Sequence, residues 1–252
     1  MSSILTNNSA MVALQNLKSI NSGLAKTQNE ISTGKAVSSA KDNSAIWAIS
    51  KVMESDVSGF KAITESLALG ESTVAVASSG AEQITEILKE MKQKVVAATG
   101  ENVDHAKITA DVNELKAQVT SIISASQFNG SNLLNTDGGD ITVLSSLDRD
   151  NTGAVTASNI TVASVDFEAS LDLTSIDVTS SDAADGSLAE IEALIQTAVD
   201  GAASLGASSK RINDQNNFVS KVMDSMKSGI GSMVDADMEE ASARLQALQV
   251  QQ

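Results

Sequence analysis

Few residues in this chain could do chemistry, and each has a plainer reading beside the reactive one. His105 is the only histidine, and it follows Glu101 and Asp104 just past Gly100. A Ser-His-Asp relay needs those residue types, but it also needs a nucleophile in an activating context, and none accompanies this histidine. It reads as a solvated residue in the first turn of a helix. The stretch "VDADMEE" brings Asp235, Asp237, Glu239 and Glu240 close together. Clustered carboxylates are the raw material of a calcium loop, yet the central glycine and the late bidentate Glu of that loop are missing. A solvated helix face is the better reading. No glycine-rich phosphate loop is present. The chain has no cysteine, which excludes a thiolate metal site, a disulfide framework and a cysteine nucleophile. No catalytic, cofactor-binding or metal-binding residue is therefore expected, and no cofactor. Trp47 reads as a packing anchor. Met223, Met226, Met233 and Met238 are spaced as a core stripe, which would serve an adaptable partner only where it is exposed.

With no chemistry to position, the elements themselves carry the information. The 252 residues include no proline, no cysteine, no tyrosine and one tryptophan, with aromatics at 2%. The core must be built from Ala, Ile, Leu, Val and Met. Without proline, long uninterrupted helices are permitted. The formal charge of −15 argues against nucleic acid or an anionic membrane as partner, because both need clustered Lys and Arg. The start, "MSSILTNNSA", lacks the basic-then-apolar pattern of a cleavable signal peptide. No apolar run approaches the ~18 residues that suggest a membrane span.

Three regions follow along the chain. Leu17, Ile20, Leu24 and Ile31 form one apolar edge, ended by Gly34, which reads as a helix C-terminal glycine. "KAVSSAKDNS" then reads as a linker. Ile46, Met53, Phe60, Leu67, Val74, Ala81, Leu88 and Val95 are each seven apart, with Ile49, Ile63, Ala77, Ile84 and Met91 as companions; Asp56 and Gly70 weaken the companion row. A sustained seven-residue repeat is a coiled-coil signal. A helix over this stretch would be roughly 80 Å long at 1.5 Å per residue. After the break at "ATGEN", Ile108, Val112, Leu115, Val119 and Ile122 mark a third helix. From 128 to 186 the chain turns to Asp, Thr, Ser, Asn and Gly. "DITVL", "ITVASVDF" and "LDLTSIDVT" are strand-prone, separated by turn signals such as "DRDNTG". Helix then resumes, with Ser187 and Glu190 matching a capping box. Ile191, Ala198, Leu205, Ile212, Val219, Met226 and Met233 again run seven apart. Near Asp235 the stripe changes phase and continues as Val234, Met238, Ala241, Leu245 and Leu248. The expected fold is mainly α. It is an elongated helical bundle or coiled coil built from both chain ends, with a small β-hairpin-rich central insertion.

At this point several motifs stand in a familiar order. "ISTGKAVSSAKDNSAIWAIS" (31–50), "QFNGSNLL" (127–134), "LGASSKRIN" (205–213) and "MVDADMEEASARLQALQVQQ" (233–252) resemble bacterial flagellins. The "KDN-AIWA" version looks most like those of alphaproteobacteria. The resemblance covers 1–134 and 187–252, flanking a variable centre. It implies a structural subunit of the flagellar filament, a homopolymer that gives motility, and no enzyme. It implies secretion to the filament without a cleavable signal peptide. The implied partners are other copies of the chain, the export apparatus and a chaperone, and cap and hook-junction proteins; nucleic acid and membrane are not among them. The implied regions are an N-terminal core helix and linker (1–42), rod helices and the start of a hairpin (43–134), a variable β-rich centre (135–186), a returning rod helix (187–234) and a C-terminal core helix (235–252). Leu17, Leu24, Ile31, Leu245 and Leu248 would lie in the filament core. Ile46, Met53, Phe60, Leu67, Val74, Leu88, Val95, Leu205, Ile212, Val219, Met226 and Met233 would pack the rod. Family members usually continue further as helix, so the stripe that stops at Gln252 without a cap suggests a shortened C-terminal helix. Flagellins that trigger the vertebrate flagellin receptor carry Arg where Glu90 stands and Leu where Lys94 stands, which implies weak recognition here. Two alternatives are a hook–filament junction protein, with similar ends, and a helical signalling hairpin, which would need only a tight turn at its tip.

Overall fold

The computed structural model describes residues 7–150 and 152–252. Residues 1–6, the start of the expected N-terminal core region, and Asn151, inside the "DRDNTG" turn, lie outside them. The elements in order are α1 (Asn8–Thr33), α2 (Ser44–Ala98), α3 (His105–Ala125), a short pair β1 (Gln127–Phe128) and β2 (Ser131–Asn132), a hairpin β3 (Ile141–Arg149) and β4 (Val155–Val162), α4 (Phe167–Ser170), a 3-10 turn (Leu173–Ser175), α5 (Ser181–Val234) and α6 (Met238–Gln251). They divide into two compact units. One comprises 60–220; the other joins 1–59 to 221–252. The long helices α2 and α5 each contribute to both.

The 60–220 unit holds the main core. Leu67, Val74, Ala81, Leu88 and Val95 of α2 are buried together with Ile63, Ala77, Ile84 and Met91. Ile191, Ala198, Leu205, Ile212 and Val219 of α5 are buried as well. The heptad spacing keeps each row on one side of its helix, so both stripes leave water along their length. Phe60 is half-buried against this cluster. From α3 come Val112, Leu115, Val119 and Ile123, with Ile108 and Ile122 half-buried at the edge. Each such aliphatic side chain is worth about 1.5–3 kcal/mol when fully buried. Exposed ion pairs add little beside that; Lys94 to Asp111 at 2.6 Å is one such pair.

The insertion closes the same core. Leu133, Leu134, Phe167, Leu171, Ile176 and Val178 are buried within it. The hairpin lies against both long helices: Leu144 N donates to Ser66 Oγ at 3.3 Å, and Gln215 Nε2 donates to Ser145 O at 2.9 Å. Val143 pairs with Ile160 and Ile141 with Val162, so strand alternation turns Val143, Ile160 and Val162 to one inward face. Gly70 admits this approach, since a Cβ there would sit 2.4 Å from Val143 Cγ2. Its weakening of the companion row is thus the space the hairpin occupies.

The structure departs from the sequence reading in the centre. "LDLTSIDVT" is not a strand. Asp172 Oδ1 accepts from Thr174 N at 3.0 Å, and Asp177 Oδ1 accepts from Thr179 N at 2.9 Å. These local side-chain bonds compete with a sheet ladder and fold the segment into turns. Lys116 Nζ donates to Ile176 O at 2.7 Å and pins it to α3; burial pushes this lysine's pKa down. The returning helix starts at Ser181, not at Ser187. Ser180 Oγ accepts from Ala183 N at 3.2 Å at its entry. Ser187 is buried inside the helix and bonds both the N–H and the carbonyl of Asp177 at 2.8 Å. His105 is also less free than expected: it is half-buried, with Nδ1 3.2 Å from Val178 O.

Candidate assembly surface

The unit formed by the two chain ends is built around a strap. Gly34 adopts φ +68°, the left-handed conformation that ends α1 cheaply. The chain then bonds the far end of α5: Ala36 N donates to Val234 O at 2.8 Å, and Ala236 N donates to Gly34 O at 3.0 Å. Val37 and Val234 are buried there. The "SSAKD" stretch folds on Asp42, whose Oδ2 accepts from Ser38 N at 3.1 Å, Ser38 Oγ at 3.2 Å, Ser39 N at 2.9 Å and Ser39 Oγ at 3.0 Å. The Ser39 bonds, then those of Ser38, hold its carboxyl below the ordinary range. Asn43 Oδ1 accepts from Ile46 N at 3.2 Å and caps α2.

The phase change near Asp235 is a break in the helix. Asp235 pairs with Lys35 in an isolated antiparallel bridge. Asp237 caps a new helix, its Oδ1 accepting from Glu239 N at 3.0 Å and Glu240 N at 3.2 Å. The acidic run expected as a solvated face therefore includes a helix cap. Glu239 and Glu240 in the first turn suit the positive end of that helix.

α1 and α6 then pair antiparallel. Leu248 Cδ1 lies 3.4 Å from where a side chain at Gly23 would begin. Gln252 Nε2 donates to Asn21 Oδ1 at 3.1 Å. Arg244 lies 3.9 Å from the buried Glu30 and also bonds Glu240. Of the residues expected in a filament core, Leu24, Ile31, Leu245 and Leu248 are half-buried in this pair. Leu17 lies beyond the Asn21–Gln252 contact and is 41% exposed; Met11, Val12 and Leu14 are 60%, 58% and 66% exposed. Those last three, with Gly23, were not singled out in the sequence. The apolar spacing that could have found them is interrupted by Asn8, Ser9 and Asn16.

The adjoining part of α2 is similarly bare. Ile46, Trp47 and Met53 are half-buried, whereas Ile49 and Val52 are 52% and 45% exposed. Met223, Met226 and Met233 of α5 are half-buried. Among the described residues there is no acidic, histidine or cysteine cluster able to hold a metal ion. No described helix is long and apolar enough to cross a membrane.

Helical ends folded on each other, an apolar stripe left bare on α1 and a core of long helices define a mainly α protein of the long-helix class. The comparisons with known proteins name the family. The bacterial flagellin N-terminal helical region matches residues 4–138, and the C-terminal helical region matches 188–252. A flagellin of Brucella melitensis biotype 1 is 40% identical over 260 residues, covering 100% of this chain and 92% of the relative. Flagellin FljM of Caulobacter vibrioides is 37% identical over 257 residues, covering 100% and 91%. A crystal structure of Bacillus cereus flagellin shares the fold at a TM-score of 0.52 and 20% identity, over 61% of this chain and 86% of that one. The chain belongs to the bacterial flagellin family. It is a self-associating structural subunit of the extracellular flagellar filament, the organelle of motility.

Proposed function

We propose that polymerisation is carried by the paired ends, with Leu17, Leu24, Ile31, Leu245 and Leu248 forming the seam buried between copies. The observation behind this reading is the bare stripe from Met11 to Leu17 on a helix whose remaining length is only half covered. A helix with such a stripe gains little until tertiary contacts bury it. Growth of a filament repeats one heterologous contact, so each subunit supplies both faces of that seam. Ile46, Met53, Phe60, Leu67, Val74, Leu88, Val95, Leu205, Ile212, Val219, Met226 and Met233 hold the long helices in the shape the seam requires. The N-terminal region 1–42 and the C-terminal region 235–252 act as the assembly segments, and 135–186 remains outside the seam.

We also propose, from membership of the flagellin family, that an export apparatus and a chaperone handle the chain before assembly and that cap and hook-junction proteins are among its partners. The decisive experiment replaces Leu17 by Asp and compares seeded sedimentation with thermal melting of the free subunit. Polymer should be lost while the melt of the 60–220 core is unchanged. Normal polymer from Leu17→Asp would overturn the assignment of the seam.

A further inference from the structure

The protein has eight methionines and no cysteine. Met1 lies outside the described residues, and Met91 is fully buried in the 60–220 core. Met11, Met53, Met223, Met226, Met233 and Met238 all fall in the other unit. Met11 and Met238 are 60% and 43% exposed; Met53, Met223, Met226 and Met233 are half-buried. Four of them neighbour one another, while Met11 and Met238 stand at opposite ends of the α1–α6 pair. Met223, Met226 and Met233 are spaced along α5, and Met53 Cε lies 3.5 Å from where a side chain at Gly229, between Met226 and Met233, would begin. Met238 opens α6, and Met11 stands on the bare stripe of α1.

We infer that Met11 and Met238 are sites of reversible oxidation that control assembly of the free subunit. The inference rests on the reading that this unit forms the seam between copies. In the reaction, a peroxide transfers one oxygen atom to the thioether sulfur. The sulfur is oxidised by two electrons, the peroxide O–O bond breaks, and water leaves when the oxidant is hydrogen peroxide. The product sulfoxide is polar and chiral, and it disrupts apolar, Met-rich contacts. Exposure governs susceptibility, so Met11 and Met238 react first and Met91 stays reduced. Methionine sulfoxide reductases specific for the two epimers reverse the change, a dithiol being oxidised to a disulfide as the oxygen leaves in water. Leucine would fill the same volume with a stiffer side chain and no such chemistry. In polymer, the neighbouring copies cover the same sulfurs, so the control acts before assembly and not after it.

The test uses full-length subunit treated with hydrogen peroxide, peptide mass mapping of each methionine, and seeded sedimentation. Oxidised subunit should give about tenfold less polymer or lower, because a small loss per contact compounds along the filament. Reductase treatment should restore it, and preassembled filaments should take up oxygen more slowly at Met11 and Met238. Subunit carrying Met11→Leu and Met238→Leu should polymerise and resist peroxide. Met238→Leu alone is the milder variant if the double one does not fold, and it should resist in part. Normal polymerisation of subunit shown to be oxidised at Met11 and Met238 would overturn the inference. So would equal peroxide loss in the leucine variants. Leu17→Asp serves as the companion arm: if it assembles normally, the seam itself is misplaced and the inference falls with it. If it blocks assembly while oxidation does not, only the inference fails.

Discussion

Two glycines five positions apart on α5 give a sharp test of how the insertion is held. Gly201 faces the core: a Cβ there would lie 2.5 Å from Val165 Cγ1 and 2.6 and 2.7 Å from the Phe167 ring. Gly206 meets nothing within 4 Å. Both lie deep inside α5, so replacing either by alanine gains the same helix propensity, about 0.8–1.0 kcal/mol. Only Gly201→Ala also adds a clash. Carbon atoms prefer separations of about 3.5–4.0 Å, so the contacts at Gly201 are short by roughly 1 Å. Phe167 is fully buried, so relieving the clash requires its ring to leave its packed position. Overpacking of this kind costs about 1–3 kcal/mol. Gly206→Ala should therefore stabilise by about 1 kcal/mol, and Gly201→Ala should destabilise by up to about 2 kcal/mol. The difference between them cancels the propensity and isolates the clash. Urea unfolding of the free subunit, followed by helical circular dichroism, measures both. If Gly201→Ala were as stabilising as Gly206→Ala, the insertion would not be seated on α5 as described.

Other expectations follow from single contacts. Leu67→Asp places an unpaired charge in the α2 seam, which is fully buried there, and should abolish the cooperative melt of the 60–220 unit. Asp237→Ala removes the cap of α6 and should cost about 0.5–2 kcal/mol of local helix stability, read as faster amide exchange over Met238–Gln251. Asp42 is held below its ordinary value of 3.8 by the Ser39 and Ser38 bonds. Its contribution to linker order is therefore complete above that value and is lost as pH falls through the lower folded value; Ser38 and Ser39 amide shifts should move only in that acid range, and Asp42→Asn should flatten the response. Signalling through the vertebrate flagellin receptor should be weak, because Glu90 is exposed and reverses the expected charge; robust cellular signalling by purified subunit would refute this.

The sequence by itself determined the long helices, their inward rows and the family. Seven-residue spacing puts Leu67, Val74 and Leu88 on one side of α2 whatever surrounds them, because helix geometry fixes direction from spacing alone. The glycine at 34 was legible for the same local reason, since a residue that must turn left-handed acts within its own neighbourhood. The stretch around Asp42 read only as a linker, and the amides its carboxylate collects appear with the folded turn. The sequence did not settle the centre. "LDLTSIDVT" has the composition of a strand, but Asp172 and Asp177 offer bonds nearer than any partner strand. Ser187 looked like a helix cap because a capping box is only a spacing. Its partner is Asp177, ten residues back, which only the folded turn brings to it. Gly70 reads as a flaw in its helix until Val143 arrives from the insertion to fill the space, and Phe167 fills the space at Gly201 in the same way. The break at Asp235 was visible as a change of phase, but a rotated stripe and an interrupted helix leave the same trace in a sequence. What separates them is the hydrogen bonding of Ala236 to Gly34 and of Ala36 to Val234. Contacts between residues roughly two hundred positions apart depend on where folding brings the two chain ends, and no local spacing encodes that.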